Sequence, residues 1–314
     1  MTSSPPLPVK PAAPTLRSSF AHAVRGALIG IVELVPGVSG GTVALVLGIF
    51  DRLITSANHL IRGVVRLVFK RGGKGFAHHL GDVEWSLVIP LLIGMFFALF
   101  ALSGPLHGFV EGQPVLSNAL FLGMVSASLL VPISMARDAG PITRNTRIFG
   151  PVVVLLVAAA VFWLLGIPSM QVEDPAWWVL ILSGAAAVCA LALPGLSGSF
   201  ILLTFGMYEP TLEAVSERDF GYLALFASGA VLGLASIVQL LAYLLRVHRR
   251  AVLLVATGLI LGSLRALWPW QDNGTLLQPD GDWLGPLLAA LGGATVVLLL
   301  WLRERRGTAV AASL

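Results

Sequence analysis

Long apolar runs separated by short polar stretches set the pattern of this chain. They fall at about 20–50, 85–104, 115–134, 149–166, 177–207, 221–245, 251–268 and 283–302. A bilayer core ~30 Å thick takes roughly 20 apolar residues of helix, so six of these runs read as single membrane spans. The first and fifth extend over about 31 residues, too long for one ordinary span, and each is interrupted near its centre by Pro-Gly.

The two interruptions are copies of one pattern. The first reads Glu33-Leu34-Val35-Pro36-Gly37-Val38-Ser39-Gly40-Gly41-Thr42, and the second Leu193-Pro194-Gly195-Leu196-Ser197-Gly198-Ser199-Phe200. Without a gap, the likeness continues from Gly48, Phe50 and Asp51 to Gly206, Tyr208 and Glu209. Proline removes an amide donor and collides with the preceding turn, while glycine lowers the cost of a sharp reversal. Each Pro-Gly therefore ends a helix, and Ser-Gly-Gly or Ser-Gly-Ser opens the next. A second echo links Gly123–Leu129 with Gly258–Leu264. Together they predict a duplicated, all-α polytopic membrane protein.

Composition agrees. With 314 residues, 56% hydrophobic and 11% charged, and a mean hydropathy of +0.88, an ordinary soluble domain is excluded. Cys189, the one cysteine, lies in an apolar run and has no partner for an internal disulfide. The pI near 9.7 comes from Lys and Arg gathered between apolar runs without interleaved aromatics, which fits membrane orientation and not nucleic-acid binding. The eight tryptophans fall near segment ends, where interfacial anchoring is their default role.

Charge also decides how the broken segments run. If both turn back as re-entrant hairpins, seventeen of the twenty Lys and Arg share one side, which the positive-inside rule makes cytoplasmic together with both termini. If they cross, the basic 52–84 loop falls opposite a basic N-terminal tail. Each half is then one hairpin plus three spans, an odd number, so the second is inverted. The expected layout is a disordered tail at 1–19, a first inverted repeat at 20–166 with a basic loop at 52–84, a second repeat at 167–306, and a short tail at 307–314. No signal peptide is evident.

In lipid, non-helical backbone belongs where it is buried in protein or lines a watery cavity, so matched breaks mark a substrate site. Uncapped amides at the positive end of a helix dipole, with hydroxyls beside them, suit an anion. The candidates are Pro36, Gly37, Ser39, Gly40, Gly41 and Thr42 of the first break, and Pro194, Gly195, Ser197, Gly198 and Ser199 of the second. Glu33 and Arg25 are ionisable groups inside an apolar segment, a place reserved for function or for pairing; Glu33 as a helix cap and Arg25 as a snorkelling side chain are the structural alternatives. Arg265, near the outer end of its helix, is a first contact for an arriving anion or a second snorkelling side chain.

Motifs for other chemistry are incomplete. Pro-Gly-Val-Ser-Gly-Gly lacks the Gly-Lys-Ser/Thr of a phosphate-binding loop, and no strand-turn-helix surrounds Ser39 as a nucleophile would need. His78 and His79 lie in the basic Gly-rich loop with no ligand-spaced cluster in sequence, so neither a metal nor a cofactor is expected.

At these residues the chain resembles the polyprenyl-phosphate (undecaprenyl phosphate) translocase family. The resemblance covers nearly all of it, through Glu33–Thr42 with Gly48–Leu53, Leu193–Phe200 with Gly206–Tyr208, and Gly262–Leu264 with Trp268-Pro269. It implies a flippase of the bacterial inner membrane that returns undecaprenyl phosphate from the outer to the inner leaflet, with the headgroup between the hairpin tips. A coupling proton on Glu33 is a further expectation. The alternatives are an enzyme and a small-anion transporter. Re-entrant undecaprenyl-pyrophosphate phosphatases look similar, but there an Arg follows the motif Ser, whereas Gly40 and Gly198 stand here.

Overall fold

The computed structural model describes residues 16–312 apart from 35–37, 71–72, 142, 168–171, 173–174, 273–274, 280 and 282. In chain order the first half holds α1 (Leu16–Glu33), α2 (Gly40–Val46), α3 (Phe50–Lys70), α4 (Gly73–Gly81), α5 (Trp85–Gly112), α6 (Pro114–Ser128), α7 (Leu130–Asp138) and α8 (Arg144–Leu164). The second holds α9 (Trp177–Ala192), α10 (Gly198–Thr204), α11 (Tyr208–Glu217), α12 (Phe220–Val247), α13 (Arg249–Ser263) and α14 (Leu284–Ala312). A 3-10 turn at Leu264–Leu267 and a two-residue hairpin, β1 (Gln271–Asp272) with β2 (Thr275–Leu276), link α13 to α14.

Six helical stretches are long and apolar enough to cross a membrane: Trp85–Gly112, Pro114–Asp138, Thr146–Leu164, Phe220–Val247, Arg249–Leu267 and Leu284–Arg305. They are the six expected single spans. Their outward faces are apolar; Phe97 is 71% and Phe100 83% exposed on α5, which makes sense only against lipid.

One boundary differs from expectation. α1 begins at Leu16, inside the stretch read as tail, because the last N-terminal proline is Pro14 and nothing after it bars a helix. The basic stretch 52–84 is largely helical: Phe50 and Ile54, one turn apart, are buried while Arg52, Arg62 and Arg66 face outward, so an amphipathic helix forms.

The helices of the two halves pack in matching pairs. α1 lies along α5, and its counterpart α9 lies along α12. α6 packs on α14, and its counterpart α13 packs on α8, so the last span of each half completes the other. Small residues allow these crossings. A methyl group on Gly26 would collide with the Leu91 carbonyl and one on Gly94 with the Ala23 carbonyl; Gly184 and Gly229 stand in the same relation to Phe226 and Ile181.

The ends of α2 and α10 are also twins. Gly48 N–H donates to the Leu45 carbonyl and Ile49 N–H to that of Ala44, both at 3.0 Å; Gly206 and Met207 repeat this to Leu203 and Leu202 at 3.1 and 2.8 Å. Gly48 and Gly206 take the required left-handed conformation, with φ of 65° and 70°. This helix-ending arrangement explains why the sequence likeness runs on past each break. The second echo corresponds to a bend. Ser128 and Ser263 are buried, donate to the Val125 and Ile260 carbonyls at 2.7 and 2.9 Å, and precede the break in α6/α7 and the 3-10 turn after α13.

One end of the molecule gathers the basic connections. Arg52 pairs with Glu84, Arg249 with Asp51 at 2.6 Å, Arg305 with Asp138 at 3.6 Å and Arg25 with Glu304 at 2.6 Å, while Arg250 donates to the carbonyls of Ala136, Gly140 and Pro141.

Candidate functional site

Each break puts an extended serine ahead of a seven-residue helix. Ser39 has φ −112° and ψ 127°, Ser197 φ −108° and ψ 133°, and neither side chain caps the helix it precedes. That job falls at the first break to Glu33, whose Oε1 accepts from Gly40 N–H at 2.9 Å. Leu191 occupies the equivalent position of the second break, so the acid belongs to one half alone.

The hydroxyls freed from capping reach across. Ser39 Oγ donates to the Leu193 carbonyl at 3.1 Å, and Thr42 Oγ1 accepts from Gly195 N–H at 2.9 Å. A methyl group on Gly41 would lie 3.4 Å from Pro194 N, so the two backbones are in direct contact there. Ser197 and Ser199 Oγ atoms lie 2.9 Å apart. Ser39 and Thr42 are each 3% and Ser197 8% exposed, whereas Ser199 is open. Two motifs far apart in sequence therefore form one buried polar cluster inside an apolar bundle.

The turn at the second break fits tightly. Gly195 has φ 88°, and a Cβ on it would lie 2.5 Å from Ile260 N on α13. Glycine is required there both by conformation and by the approaching backbone. Around the meeting point Val32, Val38, Phe121, Val125, Ile260 and Leu267 form an apolar wall. Beside Thr42, a small apolar slot of about 90 Å³ opens between α1, α2, α6 and α14, lined by Leu28, Val38, Met124 and Leu300 among others. At the basic end, a cleft of about 680 Å³ is bordered by Thr146, Arg246, Arg249 and Arg250.

Of the residues expected at the site, Ser39, Gly40, Gly41, Thr42, Pro194, Gly195, Ser197, Gly198 and Ser199 belong to this cluster, and Glu33 is tied to it. Pro36 and Gly37 lie outside the described residues. Arg25 contacts Glu304 on α14 and His22 Nδ1 at 3.2 Å, and the Arg265 guanidinium stacks over Phe162 at 4.6 Å. Sequence reasoning did not find Glu304, because a pairing that far along the chain leaves no local signal. The Leu193 carbonyl and the Gly195 amide were equally hidden, since backbone groups carry no residue identity.

Residues 29–281 match the undecaprenyl phosphate translocase-like family model. A polyprenyl-phosphate transporter of Vibrio cholerae serotype O1 is 32% identical over 252 residues, covering 80% of this chain and 78% of that protein. A polyprenyl-phosphate transporter of Staphylococcus aureus is 29% identical over 294 residues, 88% of this chain and 94% of that one. No solved structure matches.

Proposed function

Because the chain belongs to the undecaprenyl phosphate translocase-like family, we propose that it carries undecaprenyl phosphate from the outer to the inner leaflet of the bacterial inner membrane, for reuse in cell-envelope glycan synthesis. Polyprenyl phosphate transport is the shared role of the relatives, as their names state it. The observation that carries the finer reading is the contact of the two breaks through Ser39 and Leu193, and Thr42 and Gly195.

A phosphate monoester is rich in acceptors. It competes for the donors Gly195 N–H and the Ser39, Thr42, Ser197 and Ser199 hydroxyls, which in the closed cluster satisfy one another or the opposite backbone. Parting of the breaks exchanges those bonds for bonds to the headgroup, so the polar groups stay satisfied within the bilayer. The tail needs no polar partner and remains in lipid, with the apolar slot beside Thr42 to receive its first carbons. The swapped packing of the two halves supports an inverted repeat, in which alternate tilting exposes one site to each leaflet in turn. The basic end is then cytoplasmic, with both termini.

Proteoliposomes carrying fluorescent undecaprenyl phosphate in one leaflet, read with an impermeant quencher, test this. Exchange without release of free phosphate, lost in Ser39→Ala/Ser197→Ala while the variant keeps its melting temperature, is the expected result. Phosphate release would make the chain an enzyme, and exchange unchanged in the double variant would remove the headgroup from the breaks.

A further inference from the structure

Apart from the membrane site, one cluster of ligating side chains is assembled among the described residues. The basic connection between the first break and α5 folds back on itself, so that α3 and α4 pack together. Gly63, one turn after His59 on α3, makes room for α4, since a Cβ there would stand 3.3 Å from His79 Cβ. The chain leaving α4 is held by Glu84, whose carboxylate pairs with Arg52 and whose N–H donates to Ser56 Oγ at 3.3 Å. His59, His79 and Asp82 meet as a result, with a donor atom of each within 4.8 Å of the others. Asp82 Oδ2 lies 3.6 Å from His59 Nδ1 and 3.1 Å from His78 Nδ1.

The hydrogen bonding at this cluster is incomplete. His59 Nδ1 and both ring nitrogens of His79 are shielded from solvent and have no hydrogen-bond partner among the described residues. Buried imidazole nitrogens normally find one, and three in a single cluster point to a missing ligand. Two imidazoles and one carboxylate form a donor set suited to a borderline-soft divalent ion.

We infer that His59, His79 and Asp82 bind a divalent transition-metal ion of the zinc type. Contraction of the donors by rotamer adjustment brings them to metal-ligand distance, and His78, fully at the surface side of Asp82, orients the carboxylate from outside. The fourth position is left to water. The ion ties α3 to the segment entering α5, across a connection otherwise held by the Arg52–Glu84 pair and the Ser56 contact, and so stiffens the basic end against which the transport cycle works. The sequence spacing concealed this because His78-His79 shows two adjacent ligands, whereas one of the working pair comes from α3.

The test uses the full-length chain in detergent, purified with a tag free of histidine and stripped with EDTA. Titration with Zn2+ by calorimetry, and with Co2+ by visible absorption, is expected to show one saturable site per chain, Zn2+ displacing Co2+, and a melting temperature raised by Zn2+. His59→Asn and His79→Gln should each weaken binding by roughly tenfold or more, with melting in EDTA as for the wild type. His107→Ala, at the separate exposed His107–Glu111 pair, should leave it unchanged. Absence of saturable binding to the wild type overturns the inference whatever the variants do, as does binding undiminished in both His variants.

Discussion

Single residues at the breaks carry two duties that substitution can separate. Glu33 caps α2 through Oε1 and is also the acid of the first break. Glutamine keeps an amide oxygen that accepts from Gly40 N–H, so Glu33→Gln removes the titratable proton and leaves the cap, whereas Glu33→Ala removes both. If transport is proton-coupled, Glu33→Gln retains lipid binding and melting temperature but loses the dependence of flipping on a pH gradient; Glu33→Ala also loses stability by about 1 kcal/mol. Flipping by Glu33→Gln with its pH dependence intact sinks the coupling role. Glycines separate in the same manner. Gly48 has φ 65° and no neighbour at its Cβ position among the described residues, so Gly48→Ala should cost only ~1 kcal/mol of conformational strain. Gly195→Ala meets the Ile260 backbone as well as the left-handed penalty of about 1–3 kcal/mol. The expected order of melting temperatures is wild type, Gly48→Ala, Gly195→Ala, with flipping abolished in the last.

At the scale of elements, contact between helices depends on what is absent. α1 and α5 cross where Gly26 and Gly94 let carbonyls approach, and a methyl group on Gly94 meets the Ala23 carbonyl, which belongs to a helix and cannot swing aside. Gly94→Ala should lower stability by about 1–3 kcal/mol through overpacking, while Gly104→Ala on the same helix, with nothing near its Cβ position among the described residues, should be tolerated. Equal melting temperatures for the two would show that the α1–α5 crossing adapts. The sequence disclosed the spans and the two breaks because apolar length, Pro and Gly act locally, within a few residues of where they stand. It disclosed the kinship of Gly48 and Gly206 for the same reason, since both end a short helix in one conformation. It was silent on which partners the breaks use. The pattern marks Ser39 and Thr42 as hydroxyls beside an anion site without naming their partners; tertiary packing joins them to Leu193 and Gly195, and Arg25 to Glu304 on the last helix. His59 and Asp82 stayed hidden likewise, because only the folding of 52–84 into helices brings them to His79.

For the whole molecule the decisive property is whether the broken segments return to the side they enter. From Arg25 to Glu33, α1 advances about 12 Å, and α2 is about 10 Å long, so together they can enter and come back without crossing a ~30 Å core. The ion pairs agree with a return. Arg25 joins Glu304 beside the Arg305–Asp138 pair, Arg250 holds the segment after Asp138, and the neighbouring Arg249 joins Asp51 just beyond α2. Entry and exit of the first broken segment are thus linked to the same end by salt bridges and hydrogen bonds. Single cysteines in a Cys189→Ser background, labelled in intact cells with an impermeant maleimide, measure this directly. Arg17→Cys and Arg62→Cys flank the first broken segment, Ala176→Cys and Glu217→Cys the second. Re-entrance predicts that 17 and 62 are both shielded from outside and that 176 and 217 are both labelled. Labelling of 62 but not 17 would mean that the first segment crosses, and a difference between 176 and 217 would mean the same of the second. Either result breaks the inverted symmetry, because the half whose segment crosses would contain an even number of crossings while the other kept three, and no symmetric pair of states would remain for one site to alternate between.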